Sequence, residues 1–125
     1  MTRWSNNSAR KSLASRLSLP YFEHMQDWEW EVADSQRFAE FLTTYDLDVL
    51  SEDERFSLME IMVQCVEDMD TDLMRDTAWN AIGPLLRASL HDSTVRYWAC
   101  IDVVDPISHF RVTPFMRNLL LNIAT

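Results

Sequence analysis

Residues 51–68 read SEDERFSLMEIMVQCVED, and they carry the clearest helix signature in the chain. Ser51 is followed three residues later by Glu54, the spacing of a capping box, in which each side chain binds the other residue's backbone N–H. Apolar side chains then recur at helical spacing, and the stripe consists of Phe56, Leu58, Met59, Met62, Val63, Cys65, Val66 and Met69. A stripe of this width predicts a helix that packs on two sides.

Helix signals also lie on both sides of this segment. Asp34 is a candidate N-cap for a helix that ends near Tyr45, and Thr71 or Asp72 can cap the helix that follows residue 68. The inward face of that following helix is predicted to include Leu73, Met74, Ala78, Ile82, Leu85 and Leu86. The pair Gly83-Pro84 interrupts this pattern, which predicts a kink or a split into two helices.

Two more helices are expected in the last third of the chain. Asp92 or Ser93 can cap a helix that runs to about Val104, and Thr113 followed by Pro114 resembles an N-cap with proline at the first helical position. The inward residues of the last helix are predicted to be Phe115, Leu119, Leu120 and Ile123. We therefore expect an all-α fold of five or six antiparallel helices, either HEAT-like or an irregular helical bundle.

The bulk composition agrees with a helical domain. Hydrophobic residues make up 47% of the 125 residues, and there is one glycine. A chain of this length can bury one core, and a shortage of glycine disfavours folds built from strands and tight turns. Residues 20–125 are expected to form a single helical domain.

Residues 1–19 differ from the rest in composition. They are rich in Ser and Asn, and they contain Arg3, Arg10, Lys11 and Arg16 but no acid, which gives a net charge of +4. This composition predicts a flexible basic tail. Two alternatives stay open: an organelle transit leader, or an upstream extension ahead of a natural start at Met25.

The charge of the middle of the chain indicates the kind of partner. Residues 20–76 carry 17 acids against Arg37, Arg55 and Arg75, a local net charge of −14 in a chain whose total is −9. Such a surface repels the phosphates of nucleic acids and attracts basic proteins. No apolar run approaches the roughly 18 residues of a membrane span, so neither direct nucleic-acid binding nor membrane insertion is expected.

The cysteines and histidines do not suggest a catalytic or metal site. Cys65 and Cys100 lie in apolar surroundings, where a thiol behaves as a small, unreactive hydrophobic group. Two cysteines do not form a framework of disulfide pairs, which indicates a reducing compartment. His24, His91 and His109 lie on separate segments without ligand spacing. We expect neither a metal nor a catalytic residue here.

Two further site types fail on their motifs. Asp68, Asp70 and Asp72 match the start of a calcium loop, but Leu73 replaces the required glycine and Trp79 the required glutamate. A phosphate-binding loop needs more glycine than the chain has. The sequence therefore predicts a protein without a cofactor and without enzymatic activity.

One segment resembles the core of a HEAT-type repeat. Residues 82–86 (IGPLL) are followed by Asp92, Val95, Arg96 and Ala99. This order is similar to the repeat pattern, in which a proline kinks the first helix and Asp-x-x-Val-Arg-x-x-Ala opens the second. The resemblance implies that Asp92 caps the second helix and that Val95 and Ala99 face its partner helix.

A larger part of the chain resembles small helical immunity proteins, which protect bacteria from polymorphic or contact-delivered toxins. The segments that carry this likeness are residues 28–34 (WEWEVAD), 54–60 (ERFSLME), 94–98 (TVRYW) and 113–117 (TPFMR), together with the small size and the acidity. The resemblance implies a cytoplasmic inhibitor of a cognate toxin domain, often a basic nuclease.

The predicted function is therefore an immunity-type inhibitor that binds and neutralises a basic toxin domain. The alternative is a HEAT-like adaptor or assembly subunit with no enzymatic activity. Either would use an acidic surface with interleaved aromatic side chains, although Trp28 and Trp30 also suit a role in closing the core. The predicted partner-binding residues are Glu23, Asp27, Trp28, Glu29, Trp30, Glu31, Asp34, Asp46, Asp48, Glu52, Asp53, Asp68, Asp70, Asp72 and Asp76.

Overall fold

A computed structural model of the protein describes residues 5–22, 25–103, 105 and 109–124. Helices are the only regular secondary structure within these ranges, so the all-α prediction is confirmed. The α-helices are α1 (Asn7–Leu17), α2 (Trp28–Glu31), α3 (Phe38–Tyr45), α4 (Glu52–Asp68), α5 (Asp72–Ile82), α6 (Asp92–Ala99) and α7 (Thr113–Ala124). Short 3₁₀ turns cover Ser35–Arg37, Leu85–Arg87 and Ser89–His91.

The described residues fall into two compact units, which meet in the sequence between Asp68 and Met69. We call residues 5–68 the N-terminal unit and residues 69–124 the C-terminal unit. The single domain predicted for residues 20–125 stays a prediction, and residues 5–19 belong to the N-terminal unit. The seven α-helices exceed the predicted five or six because α1 and the one-turn helix α2 were not expected.

Helix α4 is the centre of the N-terminal unit, and α1, α2 and α3 all pack on it. The predicted capping box is present: Ser51 N–H donates to Glu54 Oε1 and Glu54 N–H donates to Ser51 Oγ, both at 3.1 Å. The whole predicted stripe from Phe56 to Met69 is buried. Because α4 is surrounded by three helices, its apolar sector is wider than one face.

The prediction of a flexible tail is wrong for residues 7–17. Asn6 caps α1 by accepting a hydrogen bond from Ala9 N–H at 2.8 Å. The helix packs on α4 through buried Ala9, Leu13, Ala14 and Leu17. Ala9 and Ala14 widen the narrow apolar stripe that Leu13 and Leu17 form. Alanine also loses little side-chain entropy in a helix, which favours helix formation here. The polar composition of the segment concealed this face.

In the C-terminal unit, α5 begins as predicted and ends at the predicted break. Thr71 caps it by accepting a hydrogen bond from Met74 N–H at 3.1 Å. Ile82 is its last residue, and Gly83-Pro84 leads into the 3₁₀ turn Leu85–Arg87. The break therefore splits the helical segment, since proline cannot continue the hydrogen-bond ladder.

Helix α6 packs chiefly on α7, and Val95 and Ala99 are buried. The repeat pattern implies that these two side chains face the helix that precedes Gly83-Pro84, but among the described residues α5 is not a main packing partner of α6. His91, not Asp92, is its N-cap position, and Asp92 is the first helical residue. The helix also ends earlier than the predicted Val104, because Cys100 adopts the left-handed conformation with φ 52°. A left-handed residue ends an α-helix.

Helix α7 starts one residue before the predicted position. Met116 N–H donates to the Val112 carbonyl at 3.0 Å, so Val112 is the cap and Thr113 the first helical residue. The Thr113 hydroxyl is used elsewhere: it donates to the Trp98 carbonyl at 2.8 Å and accepts from Phe110 N–H at 3.0 Å. Thr113 therefore links α7 to α6 instead of capping α7.

Candidate docking surfaces

Most of the predicted partner-binding residues are accessible. Ten of the fifteen are exposed acids: Asp27, Glu31, Asp34, Asp46, Asp48, Glu52, Asp68, Asp70, Asp72 and Asp76. Asp53 is half-buried and accepts a hydrogen bond from the Asn6 amide at 2.9 Å. Glu23 lies outside the described residues.

Trp28 and Glu29 were predicted to contact a partner, and this prediction is wrong for both residues. Trp28 is fully buried, and its indole N–H donates to the Pro20 carbonyl at 2.7 Å. The Glu29 carboxylate is buried and accepts two hydrogen bonds from Arg10, at 2.9 and 2.7 Å. Trp30 is half-buried, with its indole N–H directed to Glu60 at 3.4 Å. Trp28 and Trp30 are therefore directed towards the core of the N-terminal unit, because α2 packs on α4.

The N-terminal unit presents acids and apolar side chains together at residues 46–52, which we call the acidic loop. Asp46, Asp48 and Glu52 are exposed, and no ion pair involves them within the described ranges. Leu47 is 40% exposed and Val49 68% exposed between these acids. Exposed aliphatic side chains beside carboxylates favour a partner that combines positive charge with an apolar patch.

Arg55 fixes the backbone of the acidic loop by hydrogen bonds to carbonyls. Its guanidinium donates to the carbonyls of Tyr45 at 3.3 Å, Leu47 at 2.8 Å and Leu50 at 2.9 Å. Leu50 is buried and anchors the end of the loop. A loop fixed in this way loses little entropy when a partner binds. The sequence did not predict this role of Arg55, because no local motif connects it to these carbonyls.

The C-terminal unit has a second acidic surface on α5, the α5 face, formed by Asp72, Leu73, Met74 and Asp76. Leu73 is 77% exposed and Met74 47% exposed, so the prediction that both point inward is wrong. The helix instead buries Arg75, Ala78 and Ile82, which follow the spacing i, i+3, i+7.

The burial of Arg75 explains why α5 turns this face inward and leaves Leu73 and Met74 exposed. Its buried guanidinium donates to the Met69 carbonyl at 2.6 Å and to Asp72 at 2.8 Å. An arginine can bury its aliphatic stem and satisfy its head group with a carbonyl and a carboxylate. Hydrophobicity alone could not reveal that a charged residue would take the inward position.

Cys65 is buried in α4. Burial raises the pKa of the Cys65 thiol to about 12, which keeps it protonated and unreactive at neutral pH. Among the described residues, His, Cys, Asp and Glu side chains do not assemble into a group of three that could hold a metal ion. The described helices include none that combines the length and apolarity required to cross a membrane.

Comparisons of the chain with models of protein families, with curated proteins and with solved structures found no match. The likeness to immunity proteins and to HEAT-type repeats therefore rests on the residues quoted above.

Proposed function

We propose that the protein is an immunity-type inhibitor that binds and neutralises a basic toxin domain, with a nuclease as the first candidate. The observation that carries the proposal is the acidic loop, in which Leu47 and Val49 are exposed between carboxylates and Arg55 holds the backbone. The proposal adds the exposed acids of the α5 face as a second contact region.

The chemistry of a nuclease suits such an inhibitor. A nuclease binds phosphates through lysine and arginine side chains, and carboxylates can occupy the same positions. The acids would attract the toxin over a distance of about one Debye length, roughly 10 Å at 0.1 M salt. Burial of Leu47 and Val49 would then slow dissociation, because apolar contacts at the centre of an interface provide much of its affinity.

The alternative function is a HEAT-like adaptor or assembly subunit. The features that support it are the break at Gly83-Pro84 and the burial of Val95 and Ala99 on α6. An adaptor would join a multi-subunit complex, whereas an inhibitor would bind one basic domain in equal stoichiometry. The identity of the partner therefore separates the two functions.

The first experiment is a pull-down from the native organism at low ionic strength, with bound proteins identified by mass spectrometry. Recovery of one basic toxin or nuclease domain, whose activity the protein then inhibits, would support the inhibitor. Recovery of a multi-subunit complex, or of nothing, would contradict it.

Variants of the acidic loop give a sharper test with the recovered partner. Asp48→Lys should slow association and weaken inhibition at least about tenfold, because it reverses a charge at the centre of the loop. Asp102→Lys is the matched control, since Asp102 is an exposed acid outside both acidic surfaces. Wild-type association should also slow about tenfold between roughly 20 and 200 mM salt. A salt-insensitive rate would rule out acidic steering.

A further inference from the structure

Met74 differs in exposure from the other methionines that the structure describes. It is 47% exposed on the α5 face. Met25 is half-buried, and its sulfur accepts a hydrogen bond from Phe22 N–H at 3.2 Å. The remaining described methionines are buried: Met59, Met62, Met69 and Met116. Among these side chains, Met74 is therefore the thioether that a reagent in solution reaches most easily.

An accessible thioether reacts with hydroperoxides. The sulfur lone pair attacks one oxygen of hydrogen peroxide, and an S–O bond forms as the O–O bond breaks. The proton of the transferred oxygen passes to the departing hydroxide, which leaves as water. Sulfur is oxidised and the peroxide is reduced, so hydrogen peroxide is the only co-reactant. The product is methionine sulfoxide, a polar and chiral side chain.

The two cysteines compete poorly for this oxidant. Cys65 and Cys100 are both buried, and a cysteine reacts with peroxide as its thiolate. Burial raises the pKa of Cys65 to about 12, so little of this thiolate exists at neutral pH. In the folded protein, peroxide should therefore oxidise Met74 first.

Oxidation of Met74 should leave α5 folded. The Met74 N–H donates to the Thr71 hydroxyl at 3.1 Å, a bond that does not involve the sulfur. The buried side of the helix is formed by Arg75, Ala78 and Ile82. A sulfoxide at residue 74 therefore enters solvent and not the core, and the change is confined to the surface.

The change alters the apolar part of the α5 face. Leu73 and Met74 are its two apolar side chains, at 77% and 47% exposure, and they lie between Asp72 and Asp76. A partner that covers this face buries both of them. Burial of a sulfoxide oxygen without a donor is unfavourable. Oxidation therefore weakens the apolar contact while the carboxylates of the face remain unchanged.

We infer that Met74 is a reversible oxidation site for hydrogen peroxide on the α5 face. The sulfoxide stays accessible to methionine sulfoxide reductases, one class for each epimer at sulfur, which restore the thioether. Its consequence, a weaker contact with the toxin domain, rests on the proposed function. The oxidation itself requires no partner.

The full chain contains an internal control for the oxidation. Trypsin cleaves after Arg55 and Arg75, and the peptide between these sites carries four methionines, of which all but Met74 are buried. The folded protein is treated with hydrogen peroxide, and fragmentation of this peptide in the mass spectrometer locates the added oxygen. Met74 should be oxidised at least about ten times faster than the buried three, because oxidation follows exposure.

Unfolding removes this difference, since in urea the four methionines should react at similar rates. Reductases of both classes should remove the oxygen from Met74 in the folded protein. Circular dichroism should show the same helix content before and after oxidation. Oxidation of Met74 no faster than that of the buried methionines in the folded protein, or a sulfoxide that neither reductase removes, would overturn the inference.

Binding of the recovered toxin domain tests the consequence, after catalase has removed the peroxide. The oxidised protein should bind at least about fivefold more weakly, and the reductases should restore binding. Met74→Leu should bind equally before and after the treatment, because it has no thioether at this position. Met69→Leu is the matched control, since it replaces a buried methionine of the same peptide and should keep the response to peroxide.

The two readouts separate this site from the proposed function. Rapid oxidation of Met74 in a protein that neutralises no toxin would reject the inhibitor and retain the oxidation site. Inhibition that is equally strong before and after oxidation of Met74 would retain the inhibitor and overturn the control of binding.

Discussion

Arginine side chains in this protein bind backbone carbonyls as well as acids. Five arginines each donate to at least one carbonyl, and the shortest such bond of each is 2.6 to 2.8 Å long: Arg10, Arg37, Arg55, Arg75 and Arg117. Carbonyls at the ends of helices and in loops lack intrahelical partners, and a fixed guanidinium satisfies several of them at once. This use of arginine leaves the carboxylates of the acidic loop exposed to a partner.

Ser18 is a residue where a single substitution should stabilise the fold. It ends α1 with φ 55°, a conformation that is strained for every residue with a Cβ, and it is exposed. Ser18→Gly should raise the free energy of unfolding by roughly 0.5–1 kcal/mol. Urea titration followed by circular dichroism would measure it.

Ser15→Gly is the matched control for Ser18, because Ser15 is exposed within the same helix. Glycine at this position should destabilise by about 0.5–1 kcal/mol. A loss of stability in Ser18→Gly as large as that in Ser15→Gly would contradict the left-handed cap.

The buried thiol of Cys65 makes stability depend on alkaline pH. Burial raises its pKa from the usual 9.0 to about 12, so the unfolded chain releases this proton at lower pH than the folded one. The stabilisation is complete below pH 9 and is lost as the pH rises towards 12, with a limiting slope of about 1.4 kcal/mol per pH unit.

Removal of the thiol isolates this contribution from other groups that titrate at alkaline pH. Cys65→Ala should be less stable than the wild type at pH 8 because of the cavity, and the difference should shrink between pH 9 and pH 11. Urea unfolding at each pH provides the comparison. A constant difference across this range would show that Cys65 does not titrate differently in the two states.

The start of α4 depends on one short element of sequence. Ser51 and Glu54 exchange hydrogen bonds, and the Ser12 hydroxyl adds a bond to Glu54 Oε2 at 2.9 Å, which connects the cap to α1. Burial opposes ionisation of Glu54, but the bonds from Ser51 and Ser12 outweigh it and lower the pKa of the carboxyl. The cap therefore supports both the helix and the packing of α1.

Replacement of the cap should destabilise the N-terminal unit, whereas replacement of a nearby serine should not. Ser51→Ala should cost about 1 kcal/mol, because Glu54 N–H loses its acceptor. Ser57 is fully buried on α4 and its hydroxyl has no hydrogen-bond partner in the described part of the chain, so Ser57→Ala should be neutral or stabilising. Chemical denaturation compares the two. A larger loss for Ser57→Ala would reject this assignment.

The contact between α1 and α2 depends on the ion pair of Arg10 and Glu29. Both side chains are largely buried, at 12% and 6% exposure, and Arg10 also donates to the carbonyls of Met25 and Gln26. Arg10→Ala should cost about 3 kcal/mol, because it leaves the carboxylate buried without its cation.

A double variant measures how much of that cost belongs to the isolated charge. Arg10→Met combined with Glu29→Leu should recover most of the stability lost in Arg10→Ala. Thermal and urea unfolding would show the recovery. If the double variant is less stable than Arg10→Ala, the pair makes a net contribution that apolar packing cannot replace.

At the scale of the whole molecule, the excess of acids opposes folding and would favour association with a basic partner. The net charge is −9, and the exposed carboxylates repel one another in the isolated protein. A basic partner would relieve this repulsion, so the same charges that reduce stability would increase the rate and strength of association.

Salt should therefore stabilise the isolated protein. The melting temperature should rise by a few degrees between roughly 20 and 200 mM NaCl, because screening weakens the repulsion among the acids. Differential scanning fluorimetry would measure it. A variant with Asp48→Asn and Asp70→Asn should show a smaller rise, and a melting temperature that falls with salt would indicate that ion pairs outweigh repulsion.

The parts of the fold that the sequence predicts well depend on residues within one or two turns of each other. The capping box of Ser51 and Glu54, the cap at Thr71 and the break at Gly83-Pro84 are local effects of hydrogen bonding and backbone geometry. The stripe of α4 is also local, since helical periodicity places its members on one sector. These features establish the all-α class and show where α4 and α5 begin and end in the sequence.

The candidate surfaces could be predicted only in part, because they depend on partners distant in the chain. Ten of the acids predicted from the sequence are exposed. The sequence cannot show, however, that Arg10 binds the buried carboxylate of Glu29, which lies 19 residues later in the chain. Nor can it show that Arg75 takes the inward position on α5 and leaves Leu73 and Met74 exposed. The sequence likewise cannot show that Trp79 and Phe115, from separate helices, meet with their ring centroids 5.1 Å apart. Composition and periodicity report a residue's average preference, whereas burial depends on which distant groups satisfy it in three dimensions.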